Sequence, residues 1–175
     1  MNKHSIGNEK IMDIKIVKTE TPKTMVPDNE LGFGRYFSDH MFVMDYDTEK
    51  GWHDARIVPF ANISLHPAST VLHYGAEIFE GLKAYRRADG GIQLFRPLEN
   101  IRRMNTSAER MCLPTIDEND GLEILKTFVE MEKDFVPHSV GTSLYLRPFM
   151  FGNDEHLGVH AVSRATFMLI GSPSG

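Results

Sequence analysis

The sequence has a single cysteine, Cys112, so no internal disulfide can form. One cysteine in 175 residues is simplest to reconcile with a reducing compartment, and we expect the cytoplasm. The N-terminal stretch contains no long apolar run, and later runs such as 165–171 are only as long as a strand. We therefore expect neither a secretory signal nor a membrane-spanning helix.

The chain also lacks an excess of basic residues. Its 19 Lys and Arg are outnumbered by 24 Asp and Glu, which gives a formal net charge of −5. No basic field attracts nucleic acid or an anionic membrane, so we expect a small-molecule partner. No repeat or low-complexity linker is present, and 41% hydrophobic with 25% charged residues is a globular composition. We expect one compact domain over residues 9–175, preceded by a flexible segment, residues 1–8.

The order of apolar patterns and turn signals predicts an α+β fold without the regular alternation of a parallel sheet. An Asp-Gly pair at Asp89 and Gly90 is typical of a hairpin turn, Pro97 is suited to open a helix, and Ser69 with Thr70 can cap another. Cys112 lies on the apolar side of its helix, so we expect it in the core. The predicted strands are 12–16, one near Tyr36, 41–44, 56–65, 82–87, 91–96, 143–151 and 165–171, and the predicted helices are 70–80, 97–111 and 122–135.

General cofactor and metal motifs are absent. There is no phosphate loop, dinucleotide glycine fingerprint, paired-cysteine zinc site or nucleophile elbow. Asp154, Glu155, His156 and His160 cluster, but they lie in a glycine-bounded stretch and not on a helical ligand face. We expect a solvated loop there and no metal site.

Arginines inside otherwise apolar, aromatic stretches are the unusual feature of this sequence. Arginine is almost never fully buried unless it is paired, so each needs a carboxylate, a phosphate or solvent nearby. A structural salt bridge is the default interpretation for any one of them. Taken together with nearby aromatic residues, they indicate a pocket for a small anionic amphipathic ligand. The arginines are Arg35, Arg96 and Arg147, and the aromatic residues are Phe33, Tyr74, Phe79 and Tyr145.

Four stretches closely resemble the branched-chain amino-acid aminotransferases, which are fold-type IV enzymes dependent on pyridoxal 5'-phosphate (PLP). They are LGFGRYFSDHMF (31–42), SLHPASTVLHYGAEIFEGLKAY (64–85), LFRPLENIRRMNTSAERMCLP (94–114) and GTSLYLRPFMFGNDEHLGV (141–159). The resemblance covers nearly everything from about Leu31 onward. It implies the family's small N-terminal domain, a mostly antiparallel sheet with several helices, and it implies a homodimer with PLP bound between this domain and a larger C-terminal one.

The resemblance also implies that the Schiff-base lysine lies beyond residue 175. Lys83, in FEGLKAY, corresponds to a strand of the small domain and not to the lysine that binds PLP. We therefore expect no catalytic residue in this chain, which alone would be inactive and need not hold PLP. The implied activity of the complete enzyme is transfer of the amino group of Leu, Ile or Val to 2-oxoglutarate, giving branched 2-oxo acids and glutamate.

Site residues follow from the resemblance position by position. Arg103 matches the arginine that binds the PLP phosphate, although helical spacing places it opposite Ile101 on an otherwise solvated face; Arg102 is its rival. Leu157 and Val159 match a loop that reaches into the partner subunit's pocket. The remaining substrate-pocket positions are Phe33, Tyr74, Phe79, Tyr145 and Arg147, with the Tyr74 equivalent also supplied across the dimer.

Dual specificity gives Arg147 a chemical rationale. An apolar pocket that accepts leucine would leave the second carboxylate of glutamate unpaired, which costs several kcal/mol. Arg147 and the hydroxyls of Tyr74 and Tyr145 are the residues that could receive that carboxylate. Two alternatives stay open: another fold-type IV enzyme, a D-amino-acid aminotransferase or aminodeoxychorismate lyase, or a stand-alone dimerisation or binding domain without catalysis.

Overall fold

The computed structural model describes residues 12–175. The segment 1–8, expected to be flexible, lies outside the described residues. Two 3-10 turns, Asp28–Glu30 and Lys133–Phe135, accompany the regular elements. In chain order these elements are β1 (Lys15–Ile16), β2 (His40–Asp47), β3 (Gly51–Pro59), α1 (Thr70–Tyr74), β4 (Glu77–Phe79), β5 (Leu82–Arg86), β6 (Ile92–Leu94), α2 (Pro97–Arg110), α3 (Glu118–Met131), β7 (Ser143–Gly152) and β8 (Arg164–Ser174).

The strands form one sheet of 8 strands in the order β1-β3-β2-β8-β7-β5-β6, with β4 also paired to β7. Every pairing is antiparallel except β1 with β3. The expectation of an α+β fold with a mostly antiparallel sheet is therefore confirmed. The two longest strands, β7 and β8, lie side by side near its centre. In the described part of the chain no helix is long and apolar enough to cross a membrane.

Alternation along the strands divides the sheet into two faces. One face carries Phe42, Leu146 and Leu169, which pack with the apolar side chains of α2 and α3, such as Ile101 and Phe128, into the main core. The opposite face carries only a smaller cluster, Met41, Val43, Phe151 and Met168. Side chains of β7 on this second face, which we call the open face, are therefore available for a site.

The hairpin and the last two strands agree with the sequence prediction. Strands β5 and β6 pair around Gly90, whose φ of 84° is the left-handed conformation that glycine adopts readily. Helix α2 begins at Pro97 as predicted. Helix α3 begins at Glu118, capped by the Asp117 carboxylate, which accepts hydrogen bonds from two backbone N–H groups.

Five local predictions are wrong. No strand forms near Tyr36, and β3 runs from Gly51 to Pro59 instead of 56–65. The helix expected over 70–80 ends at Tyr74 because Gly75 takes a left-handed C-cap with φ of 59°, and 77–79 becomes β4. The first strand shortens to Lys15–Ile16. Cys112 is exposed and not in the core, because the chain leaves α2 just before it and turns at a φ of 53°.

Candidate functional site

Four of the predicted pocket residues meet on the open face of the sheet. Tyr145 and Arg147 are two residues apart on β7, so their side chains share this face. Strand β4 brings Phe79 beside them, because Phe79 is the register partner of Phe149. The Arg147 guanidinium carbon lies 4.3 Å from the centroid of the Phe79 ring and 5.3 Å from that of Tyr145. The loop before β2 adds Phe33, whose ring meets Tyr145 edge-on at 5.0 Å. The result is an aromatic wall around one cation.

Arg147 has unused hydrogen-bonding capacity in this wall. Its Nη2 donates to the Tyr145 hydroxyl at 2.8 Å. Its Nε is buried without a hydrogen-bond partner, and within residues 12–175 no carboxylate forms an ion pair with it. Arg56, by contrast, pairs with Asp45 at 2.8 Å. A partly buried guanidinium that lacks an anion is unfavourable, so this position is suited to an anionic ligand.

Gly81 is required for the close approach of Tyr145. A Cβ atom at Gly81 would overlap the Tyr145 hydroxyl and ring. The turn from β4 into β5 therefore packs directly against the Tyr145 hydroxyl, which accepts the hydrogen bond from Arg147. The sequence did not single out Gly81, because the side chain that leaves no room for a Cβ atom there belongs to Tyr145, on a strand distant in sequence.

Arg103 lies on α2 and reaches back to the acid that follows β4. Its Nε and Nη2 donate to the two carboxylate oxygens of Glu80, each at 2.6 Å. Asn100, one turn earlier on α2, donates to the same carboxylate at 3.2 Å. Burial raises the pKa of Glu80, but the hydrogen bonds from Arg103 and Asn100 outweigh burial and hold its pKa below the ordinary value. Glu80 is another site residue that sequence reasoning missed, although an acid directly after the apolar pair Ile78 and Phe79 signals a buried charge that needs a partner.

The geometry separates Arg103 from its rival. Arg102 donates through Nη1 to Glu99 at 2.9 Å and through Nε to Glu118 at 3.1 Å, so both sides of its guanidinium face carboxylates. Arg103 uses only the Nε and Nη2 side for Glu80, and its side chain is 67% exposed. The end of the fork formed by its two terminal nitrogens stays free, and that end fits a phosphate bidentately.

The other two arginines singled out by the sequence do not join the aromatic wall, although Arg96 lines the same surface cavity as Arg103. Arg35 is exposed, and its side chain lies near Gly32 in the same loop, where a Cβ atom on Gly32 would come within 3.5 Å of the Arg35 Cδ. Arg96 takes a left-handed conformation with φ of 47° at the start of α2, and its guanidinium lies 3.9 Å from Glu99. Neither residue contacts the aromatic wall in the described structure.

Tyr74, Leu157 and Val159 form a second group. The Tyr74 hydroxyl donates to the backbone carbonyl of Leu157, which links the end of α1 to the loop between β7 and β8. Leu157 and Val159 are 62% and 86% exposed. The sequence-predicted pocket residues are thus divided between the open-face wall and this exposed group, and the second group contains the three residues that the resemblance assigns to the partner subunit's pocket.

The loop that carries Leu157 and Val159 is fixed at its base by Asp154. This carboxylate is buried and accepts hydrogen bonds from the backbone N–H groups of Ser163 and Arg164 at 3.1 Å each. Burial raises the pKa of Asp154, but the hydrogen bonds from Ser163 and Arg164 lower it further, so the net pKa lies below the ordinary value. Within residues 12–175 no group of three or more His, Cys, Asp or Glu side chains is arranged to hold a metal ion.

Comparison with curated proteins gives long matches. The chain is 52% identical over 158 residues to branched-chain-amino-acid transaminase 1 of Bacillus subtilis, a match that covers 90% of this chain and 44% of that protein. It is 43% identical over 174 residues to the mitochondrial branched-chain-amino-acid aminotransferase of Bos taurus, covering 99% and 44%. No protein-family model matches. The chain spans less than half the length of these relatives.

Solved structures give the same fold. The T.th. branched-chain amino acid aminotransferase with pyridoxamine 5'-phosphate superposes with a TM-score of 0.58 at 25% identity, over 77% of this chain and 40% of that one. The same enzyme complexed with N-(5'-phosphopyridoxyl)-L-glutamate gives 0.57 at 25% identity, over 75% and 40%. The Escherichia coli enzyme, at 22% identity and a TM-score of 0.58, shows the fold alone.

Proposed function

We propose that this chain, a homologue of the branched-chain aminotransferases, forms the small domain of a PLP-dependent enzyme. That enzyme would transfer the amino group of leucine, isoleucine or valine to 2-oxoglutarate, giving branched 2-oxo acids and glutamate. The observation that carries the proposal is Arg147, a partly buried cation inside an aromatic wall with no carboxylate partner among the described residues. A structural salt bridge, the default interpretation for one arginine, does not account for it.

The aromatic wall fits two kinds of substrate side chain. Phe33 and Phe79 offer apolar ring surface to a branched aliphatic side chain, and both are exposed in this domain. The Arg147 guanidinium and the Tyr145 hydroxyl can receive a side-chain carboxylate when glutamate or 2-oxoglutarate binds. The T.th. relative complexed with a phosphopyridoxyl adduct of glutamate supports this assignment.

Arg103 is the residue that would hold the PLP phosphate. Its free fork end and its exposure suit a phosphate that arrives from outside this domain. When bound, PLP supplies an electron-withdrawing ring that stabilises negative charge on the substrate's α-carbon. The lysine needed for proton transfer would come from a larger second domain, and the chain by itself would be inactive.

Dimerisation would complete the pocket. The Tyr74 hydroxyl links α1 to Leu157, Val159 follows two residues later in the same loop, and all three side chains are exposed. Exposed apolar side chains in a polar loop are typical of an interaction surface. We assign this group to the pocket of a partner subunit in a homodimer, as the resemblance implies. We also assign the enzyme to the cytoplasm, on the single cysteine.

An aminotransfer assay on the full-length protein tests the proposal. With PLP and 2-oxoglutarate present, leucine, isoleucine and valine should each yield glutamate and the matching branched 2-oxo acid. D-Alanine and aminodeoxychorismate should not react. Turnover of either of these without turnover of leucine would assign the chain to a different fold-type IV enzyme, and binding of PLP without any turnover would favour a non-catalytic module.

A further inference from the structure

We infer that Glu80 is a positioning residue that holds Arg103 in the orientation needed to bind the phosphate of PLP. The inference deepens the proposed function and rests on it. Glu80 itself touches neither the cofactor nor the substrate; it acts through Arg103. The observation behind it is a buried carboxylate that occupies one side of an exposed guanidinium and leaves the other end free.

The contact is bidentate and asymmetric in burial. Glu80 is 5% exposed, whereas Arg103 is 67% exposed. Both carboxylate oxygens accept from the Nε and Nη2 side of the guanidinium at 2.6 Å. An arginine on a helix surface has many accessible rotamers, and two short charge-assisted bonds select one of them. The donors at the free end therefore point in a fixed direction before any phosphate arrives.

The carboxylate is itself held in place. Asn100 donates to its Oε2 at 3.2 Å and to the carbonyl of Gly81 at 3.3 Å. The backbone N–H of Glu80 donates to the carbonyl of Pro148 at 2.8 Å, which fixes the residue to β7. Glu80 is thus tied both to the helix that carries Arg103 and to the strand that carries Arg147.

The sequence neighbours of Glu80, Phe79 and Gly81, contact the aromatic wall. Phe79 places its ring against the Arg147 guanidinium, and Gly81 lies against the Tyr145 hydroxyl. The three residues 79–81 therefore connect the arginine proposed for the substrate carboxylate with the arginine proposed for the phosphate. A fixed distance between the two anion sites is what a cofactor joined to an amino acid requires.

Two effects of Glu80 on phosphate binding have opposite signs. Its negative charge offsets that of Arg103, which weakens attraction for a phosphate, while its hydrogen bonds preorganise the guanidinium. Glu80 is buried behind Arg103, and its charge is already compensated by two hydrogen bonds from Arg103 and one from Asn100. We therefore expect orientation to dominate, so removal of the carboxylate should weaken PLP binding.

The test is a double-mutant cycle in the full-length protein, with PLP affinity measured by equilibrium dialysis and absorbance. Glu80→Gln should weaken PLP binding about tenfold, the effect of losing a charge-assisted hydrogen bond. In an Arg103→Ala background the same change should have almost no further effect, because Glu80 acts through Arg103. Glu118→Gln, which removes a carboxylate partner of Arg102 on the neighbouring helix, is the matched control and should leave PLP affinity unchanged.

A second readout separates positioning from a purely structural role. The phosphorus NMR resonance of bound PLP should shift in Glu80→Gln. Glu80→Asp keeps the charge, but its shorter side chain moves the carboxylate oxygens away from Arg103, so its affinity for PLP should be intermediate. Far-UV circular dichroism checks that each variant is folded. If Glu80→Gln does not fold, the affinity of Glu80→Asp for PLP tests the inference in its place.

Three results would overturn the inference: unchanged or tighter PLP binding in a folded Glu80→Gln protein, an unshifted phosphorus resonance, or an equal loss in the Arg103→Ala background. A different result, in which Arg103→Ala itself leaves PLP affinity unchanged, would instead refute the phosphate assignment under the proposed function.

Discussion

Replacing Arg147 by methionine should separate the two half-reactions of the proposed enzyme. Methionine keeps much of the length of the side chain and its contact with the Phe79 ring, but it removes the charge and all five donors. Glutamate needs an anion partner in the pocket, whereas leucine offers no group to that partner. We therefore expect a large loss with glutamate and a small loss with leucine.

The structure sets the size of the difference. Arg147 already donates to the Tyr145 hydroxyl at 2.8 Å, and its Nε has no partner, so a substrate carboxylate would gain donors that are otherwise unused. One charge-assisted hydrogen bond is worth about 1.5–3 kcal/mol, or roughly a 10- to 150-fold loss in kcat/KM for glutamate. Leucine loses only packing, and we expect a change below about threefold because methionine fills a similar volume.

Single-turnover kinetics with each amino acid, together with a thermal melt, provides the assay. The predicted signature is an unequal loss with an almost unchanged melting temperature. Equal losses for both substrates and a lower melting temperature would mean that Arg147 stabilises the sheet and does not receive substrate, and the assignment would have to be withdrawn.

Three further predictions address the cofactor, the dimer and the loop. Arg103→Ala in the full-length enzyme should weaken PLP binding about ten- to a hundredfold, and Arg102→Ala should weaken it far less. If equilibrium dialysis gives the reverse order, the assignment of the phosphate to Arg103 is wrong. A hybrid dimer of a Val159→Asp subunit with a subunit lacking the proposed second-domain lysine should keep about half of the dimer's sites active, because both lesions then fall on one site; complete inactivity would show that the loop serves its own subunit. Because the folded pKa of Asp154 is depressed, its contribution to stability is present above the ordinary aspartate pKa of about 3.9 and is lost as pH falls through the lower folded value. Urea unfolding at neutral pH and in strong acid, about pH 2, should therefore show that acid lowers the free energy of unfolding less in Asp154→Asn than in the unsubstituted protein. An equal decrease in both proteins would contradict the assigned role.

Elements with a complete local signal could be predicted from the sequence. Pro97 at the start of a helix, the Asp89-Gly90 turn and the long apolar strands β7 and β8 each have a local signal strong enough to fix their type. The failure at residues 75–79 has a tertiary cause. Gly75 stops the helix in a left-handed conformation, and β4 exists because its three residues pair with β7. Pairing with a strand some 70 residues away leaves no local periodicity to read.

The candidate site could be predicted only in part, because residue types can be read from the sequence but their partners on other elements cannot. The arginines and aromatic residues could be picked out as residue types in unusual settings, but the sequence could not show which arginine lacks a carboxylate. The structure supplies that distinction: Arg102 is paired on both sides, Arg103 on one, and Arg147 on neither within the described residues. Glu80 escaped notice because its partner lies on another element, 23 residues along the chain.

A crystal structure of the full-length protein with N-(5'-phosphopyridoxyl)-L-glutamate tests the central claim most directly. We predict that the Arg147 guanidinium lies within hydrogen-bond distance, about 3 Å, of the side-chain carboxylate of the glutamate moiety, with Arg103 on the phosphate. A side-chain carboxylate bound elsewhere, with Arg147 still donating only to the Tyr145 hydroxyl, would contradict it.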